Sequence, residues 1–188
     1  MGNLAYSDED YRDYEMIAGK VYALARPAPV HSKVSSEIHH IFSRHLRERS
    51  CEAYQEVDVH LDERTTVIPD VIIVCDPEKI KPDAIYGTPD LVVEVLSPST
   101  ARRDRREKMQ AYARAGVREY WIVSCTDRSI EVYRLVDGRF ELENVYQVFQ
   151  DWQWGKLTDG EREAASFIIP VFLDDDFQVD VREVFKGV

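Results

Sequence analysis

From Val30 to about Arg49 apolar residues recur at the helical period: Val34, Ile38, Ile41, Phe42 and His45 share one face, while Arg44, Arg47 and Glu48 lie opposite. That pattern predicts a helix with one side on a core. Ahead of it, Ser7 followed by Asp8, Glu9 and Asp10 predicts a short acidic helix over 7–15, capped by the serine and favoured by the helix dipole. Residues 14–25 read as a hairpin broken at Gly19 and stopped by Pro27 and Pro29. Alternation marks 51–61 as a strand, 63–66 as a turn, and 67–74 as a strongly apolar strand interrupted only by Pro69 and Asp70. Residues 76–89, with three prolines and a glycine, read as loop.

The run from Leu91 to Leu96 is apolar at nearly every position, which implies a strand buried on both faces apart from Glu94. A helix is predicted from Ala101 to about Ala115, with Thr100 or Ser99 as its cap and Gly116 as its stop. Strands recur at 119–123 and 129–135, and a turn at Asp137-Gly138 leads into 139–149. Beyond that, 151–164 reads as polar loop, 167–171 as a short strand and 179–185 as a terminal helix. The alternation of helices and strands predicts an α/β (α+β mixed) architecture: a mixed sheet with helices packed on it.

At 188 residues the chain fits one domain spanning 1–188, with 1–29 as an N-terminal helix and hairpin arm and 150–188 as a C-terminal extension. No stretch approaches the roughly 20 apolar residues of a membrane span, and the acidic N-terminus is unlike a signal peptide, so a cytoplasmic home without a membrane partner is expected. Cys51, Cys75 and Cys125 are odd in number and embedded in apolar runs, which reads as reduced core thiols. A net charge of −11 disfavours tight nonspecific binding to a polyphosphate. It does not disfavour a metal cleft, because acids attract divalent cations and the cation then meets the phosphate. From Thr100 to Arg118 seven basic residues face only Asp104 and Glu107, so a nucleic-acid backbone would be guided there, by Arg102, Arg105 and Arg106.

Two carboxylates occupy positions where a strand pattern alone would put apolar residues: Asp70 at the head of VIIV, and Glu94 inside LVVEVL. A buried carboxylate is costly unless a cation or hydrogen bonds compensate it. Each acid alone could instead accept backbone N–H groups at a strand end. Lys108 is the third member of the group. At 100° per residue it shares a helix face with Ala101, Asp104, Ala111, Tyr112 and Ala115, and so points toward the sheet, while Arg102, Arg103, Arg106, Gln110 and Arg114 lie on the other side. The plainer alternative for it is an (i, i+4) ion pair with Asp104.

Residues 69–74 (PDVIIV), 89–100 (PDLVVEVLSPST), Asp104, Lys108, Tyr112 and 116–123 (GVREYWIV), with YEMIAG at 14–19 and PAPVH at 27–31, strongly resemble the Uma2 family of bacterial proteins described as restriction endonucleases. The resemblance covers roughly residues 5–150. It implies the PD-(D/E)XK nuclease superfamily, whose restriction-endonuclease-like fold is a mixed central sheet flanked by helices. It further implies that Asp70, Glu94 and the backbone carbonyl of Val95 hold Mg²⁺ or Mn²⁺, and that DNA is the substrate. A homodimer is compatible with it. The superfamily's lysine position is Leu96 here, so the resemblance implies that Lys108 supplies the charge from the following helix. The glutamate that the superfamily adds from its first core helix corresponds to Glu37. His31 opens the same helix on its inward side as a ligand for water or metal or a structural histidine, and Glu15 is a further candidate. A nuclease-fold module that binds nucleic acid or protein without cutting is the alternative. The chain has no GxxxxGK[ST], GxSxG, HExxH or CxxC motif, which removes nucleotide-loop, serine-hydrolase and zinc chemistries from consideration.

Overall fold

The structure, a computed structural model, describes residues 14–188. The expected acidic helix over 7–15 falls almost wholly outside the described residues. The hairpin that follows is present as β1 (Tyr14–Ile17) and β2 (Lys20–Ala23). Next come helix α1 (Pro29–Leu46), β3 (Glu52–Gln55), β4 (Val59–Asp62), β5 (Thr65–Val67), β6 (Val71–Val74), β7 (Ile85–Tyr86) and β8 (Leu91–Val95). A continuous helix over 101–115, α2, leads to β9 (Glu119–Ser124), β10 (Ser129–Val136) and β11 (Arg139–Gln147). The chain ends in short helices at Asp151–Trp154 and Asp159–Ala164, strands β12 (Ile168–Pro170) and β13 (Gln178–Asp180), and a helical turn at Val181–Val184.

Six strands form the central sheet in the order β11-β10-β9-β8-β6-β3. Only β8 and β9 are parallel within it, because α2 carries the chain from the end of one to the start of the other. A second sheet, β2-β1-β5-β4-β7, and the small β12–β13 pair complete a mixed α/β architecture. Strands β6 and β8 are buried at every position, so both faces of the central sheet must be covered. One face, bearing Val71, Ile73, Leu91, Val93, Val95 and Trp121, packs on α1 and on the C-terminal segment. Phe42 of α1 stands edge-on to both Trp121 (5.3 Å) and Phe177 (5.6 Å). The other face, bearing Ile72, Val74, Val92, Tyr120 and Ile122, packs on α2 and on the second sheet.

Several elements differ from the sequence expectation. The expected strand 51–61 is split between the two sheets, and 67–74 is interrupted at 68–70, where Pro69 offers no N–H to a ladder. The 76–89 loop contains a 3₁₀ turn at Pro77–Lys79 and the strand β7. The expected polar loop 151–164 forms two helices, the second closed by a reciprocal Thr158–Glu161 capping box. The expected terminal helix begins as strand β13. Residues 150–188, read as an extension, contribute Ile169, Val171, Phe177, Val179, Val181 and Phe185 to the same apolar cluster as α1.

The cysteines require a correction. Glu52 of β3 lies opposite Val74 of β6, so the flanking residues Cys51 and Cys75 face each other and are joined in a disulfide. Only Cys125 is a free thiol, and it is half-buried. Among the described residues no helix is long and apolar enough to cross a membrane.

Helix α2 is not uniform. Ala101–Arg103 and Met109–Ala115 are α-helical, but Asp104–Lys108 forms a π-helical turn. The Asp104 carbonyl accepts a hydrogen bond from the Tyr120 hydroxyl of β9 at 3.0 Å, a side chain entering the backbone ladder as such distortions require. Gly116 closes the helix with φ +91°, a left-handed conformation that an L side chain adopts only under strain. Its N–H donates to the carbonyls of Tyr112 and Ala113.

Candidate active site

The chemistry gathers where β6 begins and β8 ends. Pairing between these strands runs from Val71↔Val93 to Ile73↔Leu91, which leaves the Val95 N–H without a ladder partner from β6. Asp70, one residue before β6, supplies one: its Oδ2 accepts from Val95 N–H at 2.6 Å. The same oxygen lies 3.4 Å from Nε2 of His31, in the first turn of α1. Burial alone would lower the His31 pKa, but its hydrogen bond to Asp70 and the charge of that carboxylate outweigh burial and raise it.

Glu94 sits on the α2 side of β8 and is 3% exposed. Its Oε1 accepts from Nζ of Lys108 at 2.8 Å and from the Tyr112 hydroxyl at 2.6 Å. Lys108 also reaches Oε1 of Glu15 at 2.7 Å and stands 4.0 Å from Oδ1 of Asp104. Glu15 comes from β1, in the segment read as an arm. It is held by the Ile68 N–H at 3.0 Å and by Arg103 at 3.2 Å, while the Arg103 guanidinium lies over the Tyr22 ring at 4.6 Å.

Four carboxylates (Glu15, Asp70, Glu94 and Asp104) thus surround two permanent cations, Lys108 and Arg103. The cluster carries a net charge of −2 when all the acids are ionised, the deficit that one divalent ion would neutralise. Its electrostatics reflect that excess. Burial pushes the Glu94 carboxyl well above the ordinary range, with Lys108 opposing. Burial, again opposed by Lys108, raises Asp104 to about 6. Burial would depress Lys108, but the charges of Glu94, Glu15 and Asp104 dominate and keep it protonated. Burial and the neighbouring Glu94 hold the Tyr112 hydroxyl in its neutral, donating form.

A cleft of about 710 Å³ opens on this group and is lined by His31, Asp70, Glu94, Val95 and Lys108 together with Ser97–Thr100. Glu56, Asp58 and Asp83 on its walls add negative charge. Among the described residues no three His, Cys, Asp or Glu side chains form a ready-made metal cage. Mg²⁺ needs none, since it is held by one or two carboxylates and completes its shell with water and substrate oxygens. The donors present suit it: Asp70 Oδ1 and Glu94 Oε2 form no hydrogen bond among the described residues, and both side chains line the cleft.

The structure therefore brings Asp70, Glu94, Val95, Lys108, His31 and Glu15 together. It does not bring Glu37 there: that residue lies half-buried on α1, away from the cleft lining, and the acid beside Lys108 is Glu15 instead. Arg102 and Arg106 are exposed, but Arg105 is engaged by Glu131 through two bonds at 2.6 and 2.7 Å. Arg103, assigned to the outer helix face by an even 100° spacing, turns inward to Glu15. Leu96 packs in the apolar cluster on the α2 side. Sequence reasoning missed the part played by Tyr112, although a hydroxyl-bearing side chain four residues after an inward lysine was its visible signal.

A family model for Uma2, described as "Putative restriction endonuclease", matches residues 3–160. An uncharacterized protein of Synechocystis sp. is 31% identical over 137 residues, 71% of this chain and 72% of that protein. The crystal structure of a "putative nuclease belonging to DUF820" from Anabaena variabilis superposes with a TM-score of 0.69 over 92% of this chain and 89% of its own. At 17% identity that likeness establishes a common fold.

Proposed function

This chain belongs to the Uma2 family, and from that premise we propose that it is a metal-dependent endonuclease that hydrolyses phosphodiester bonds in DNA. What carries the reading is one cleft that gathers two carboxylates, each with an unbonded oxygen, beside a buried, protonated lysine. Asp70, Glu94 and the Val95 carbonyl would hold the cation. Bound there, Mg²⁺ or Mn²⁺ supplies Lewis acidity toward a phosphoryl oxygen and makes water a stronger acid.

The chain's own groups do the remainder. The Val95 N–H fixes the Asp70 carboxylate in rotation, leaving its second oxygen facing the cleft. Tyr112 fixes Glu94 in the same way. Lys108 offers a positive charge from a dry site, where it acts more strongly on charge developing at a phosphate than it would in water. His31, at the cleft wall, contacts Asp70 through Nε2 and helps hold that carboxylate in place. Arg102 and Arg106, exposed on α2, would steer the strand.

The test is cleavage of supercoiled, linear and single-stranded DNA with Mg²⁺ or Mn²⁺. Asp70→Ala, Glu94→Ala and Lys108→Ala should each lower the rate by roughly 10²–10³-fold or more with the fold retained by circular dichroism. Unaltered activity in all three would refute the assignment. Metal binding by the unmodified chain without cleavage of any DNA form would select a binding module in its place.

A further inference from the structure

Lys108 stands among three carboxylates and bonds two. An ammonium has three N–H donors; Glu15 and Glu94 take two, at 2.7 and 2.8 Å. Asp104 begins the π-helical turn that Lys108 ends, and that turn brings both side chains inward. Its Oδ1 is 4.0 Å from Nζ, outside hydrogen-bond reach. Neither Asp104 oxygen forms a hydrogen bond of good geometry, the neighbouring Thr100 hydroxyl favouring its charged form only in part, although the residue is only 1% exposed. A buried carboxylate left without a donor is among the least favourable states a side chain can occupy. Its backbone is pinned, because Tyr120 holds the Asp104 carbonyl. The acid cannot leave, so a donor has to come to it.

A cation entering the cleft creates that situation. It would take Glu94 Oε2 while the Lys108 ammonium holds Oε1, and two positive charges on one carboxylate repel. The nearest unbonded acceptor for a displaced ammonium is Asp104, about 1 Å short of hydrogen-bond distance. Glu15 would stay bonded and serve as the pivot, since Ile68 N–H and Arg103 fix it from other directions. Resting on the reading of this cleft as a metal site, we infer that Asp104 is a positioning residue: it receives the Lys108 ammonium when a divalent cation takes Glu94, and thereby sets how tightly that cation binds.

Two substitutions separate this from a structural role, because they move metal affinity in opposite directions. Asp104→Asn keeps the shape but removes the charged acceptor, so Mn²⁺ affinity measured by electron paramagnetic resonance should weaken by roughly tenfold or more, the value of one charge-assisted hydrogen bond. Lys108→Met removes the competitor and should tighten Mn²⁺ binding. In the Lys108→Met background, adding Asp104→Asn should change affinity by less than about twofold, because the two residues act as one unit. Equal weakening in both backgrounds would make Asp104 a direct ligand and overturn the inference, as would an unchanged affinity in Asp104→Asn. The unmodified chain gives a reading that no substitution can confound: the Lys108 ¹⁵Nζ resonance should shift on titration with Mg²⁺, and a static resonance under saturating Mg²⁺ overturns the inference. A chain that binds neither ion overturns the metal reading itself, whereas binding with a flat mutant cycle overturns the role of Asp104 alone.

Discussion

Glu94 and Glu119 occupy neighbouring parallel strands, are both fully buried, and are both paired with a cation, yet they face opposite sides of the sheet and do opposite things. Glu119 has no oxygen to spare. Its Oε1 accepts from the Trp121 indole at 2.5 Å, and its Oε2 accepts from the Phe172 N–H at 3.1 Å and is ion-paired with Arg134 at 2.5 Å. It fastens the C-terminal segment to β9 and is not among the residues that line the cleft. Glu94 takes both its donors on Oε1 and leaves Oε2 unbonded at a cleft wall. Burial of a charged residue therefore does not mark a site. The mark is coordination left incomplete where a ligand can enter.

The largest expected break in this symmetry is in stability. Glu119→Ala strands the Arg134 guanidinium and the Phe172 N–H, and should cost on the order of 3 kcal/mol in urea unfolding. Glu94→Gln removes one negative charge from a cluster already two in excess, and should change stability by less than about 1 kcal/mol. Comparable losses in the two variants would mean that Glu94 is as structural as Glu119.

Acidity sharpens the contrast. Burial raises the Glu119 carboxyl from the ordinary 4.5 to about 7 against the pull of Arg134. A raised folded-state value means that the folded protein holds the proton more tightly than the unfolded chain. Its stabilising share is complete below about 4.5 and is lost as pH climbs through about 7. The loss is on the order of 3 kcal/mol, so the melting temperature should fall across that window. Glu119→Gln should flatten the fall, and an identical pH profile in that variant would dismiss Glu119 as its source.

The smallest effect is expected at Tyr112. Tyr112→Phe deletes one of the two donors on Glu94 and keeps the ring, which packs against Tyr120 at 5.3 Å. Single-turnover cleavage should slow by roughly three- to tenfold, with unfolding little changed. A large drop in stability without a change in rate would move Tyr112 to the structural side of the comparison.

Much of this arrangement was legible in the sequence, for identifiable reasons. Asp70 and Glu94 stood out because an acid in an apolar strand violates the pattern, and Lys108 because helical spacing fixed its face. Gly116 announced the end of α2, and Gly19 the hairpin. The rest depended on contacts that spacing does not encode. Glu15 reaches the site because β1 pairs with β5 through Met16↔Thr66, across fifty residues of chain. Cys51 and Cys75 meet because β3 chooses β6 as its neighbour. Glu37 had the right helix but the wrong position on it. Arg103 was misplaced because an even 100° spacing is invalid across the π-helical turn.

That turn has a consequence for what changes the chain can tolerate. The wide turn absorbs one residue, so a deletion within it would restore ordinary winding and keep the downstream face, whereas removing the exposed, uncharged Gln110 from the α-helical segment that follows would swing everything downstream by about 100°. Ala111 and Tyr112 would rotate off the sheet while every carboxylate remained in its place. A deletion that spares all the charged groups would thus disable the protein as surely as losing one of them, so the residue count between Lys108 and Gly116 is itself a determinant of the chemistry.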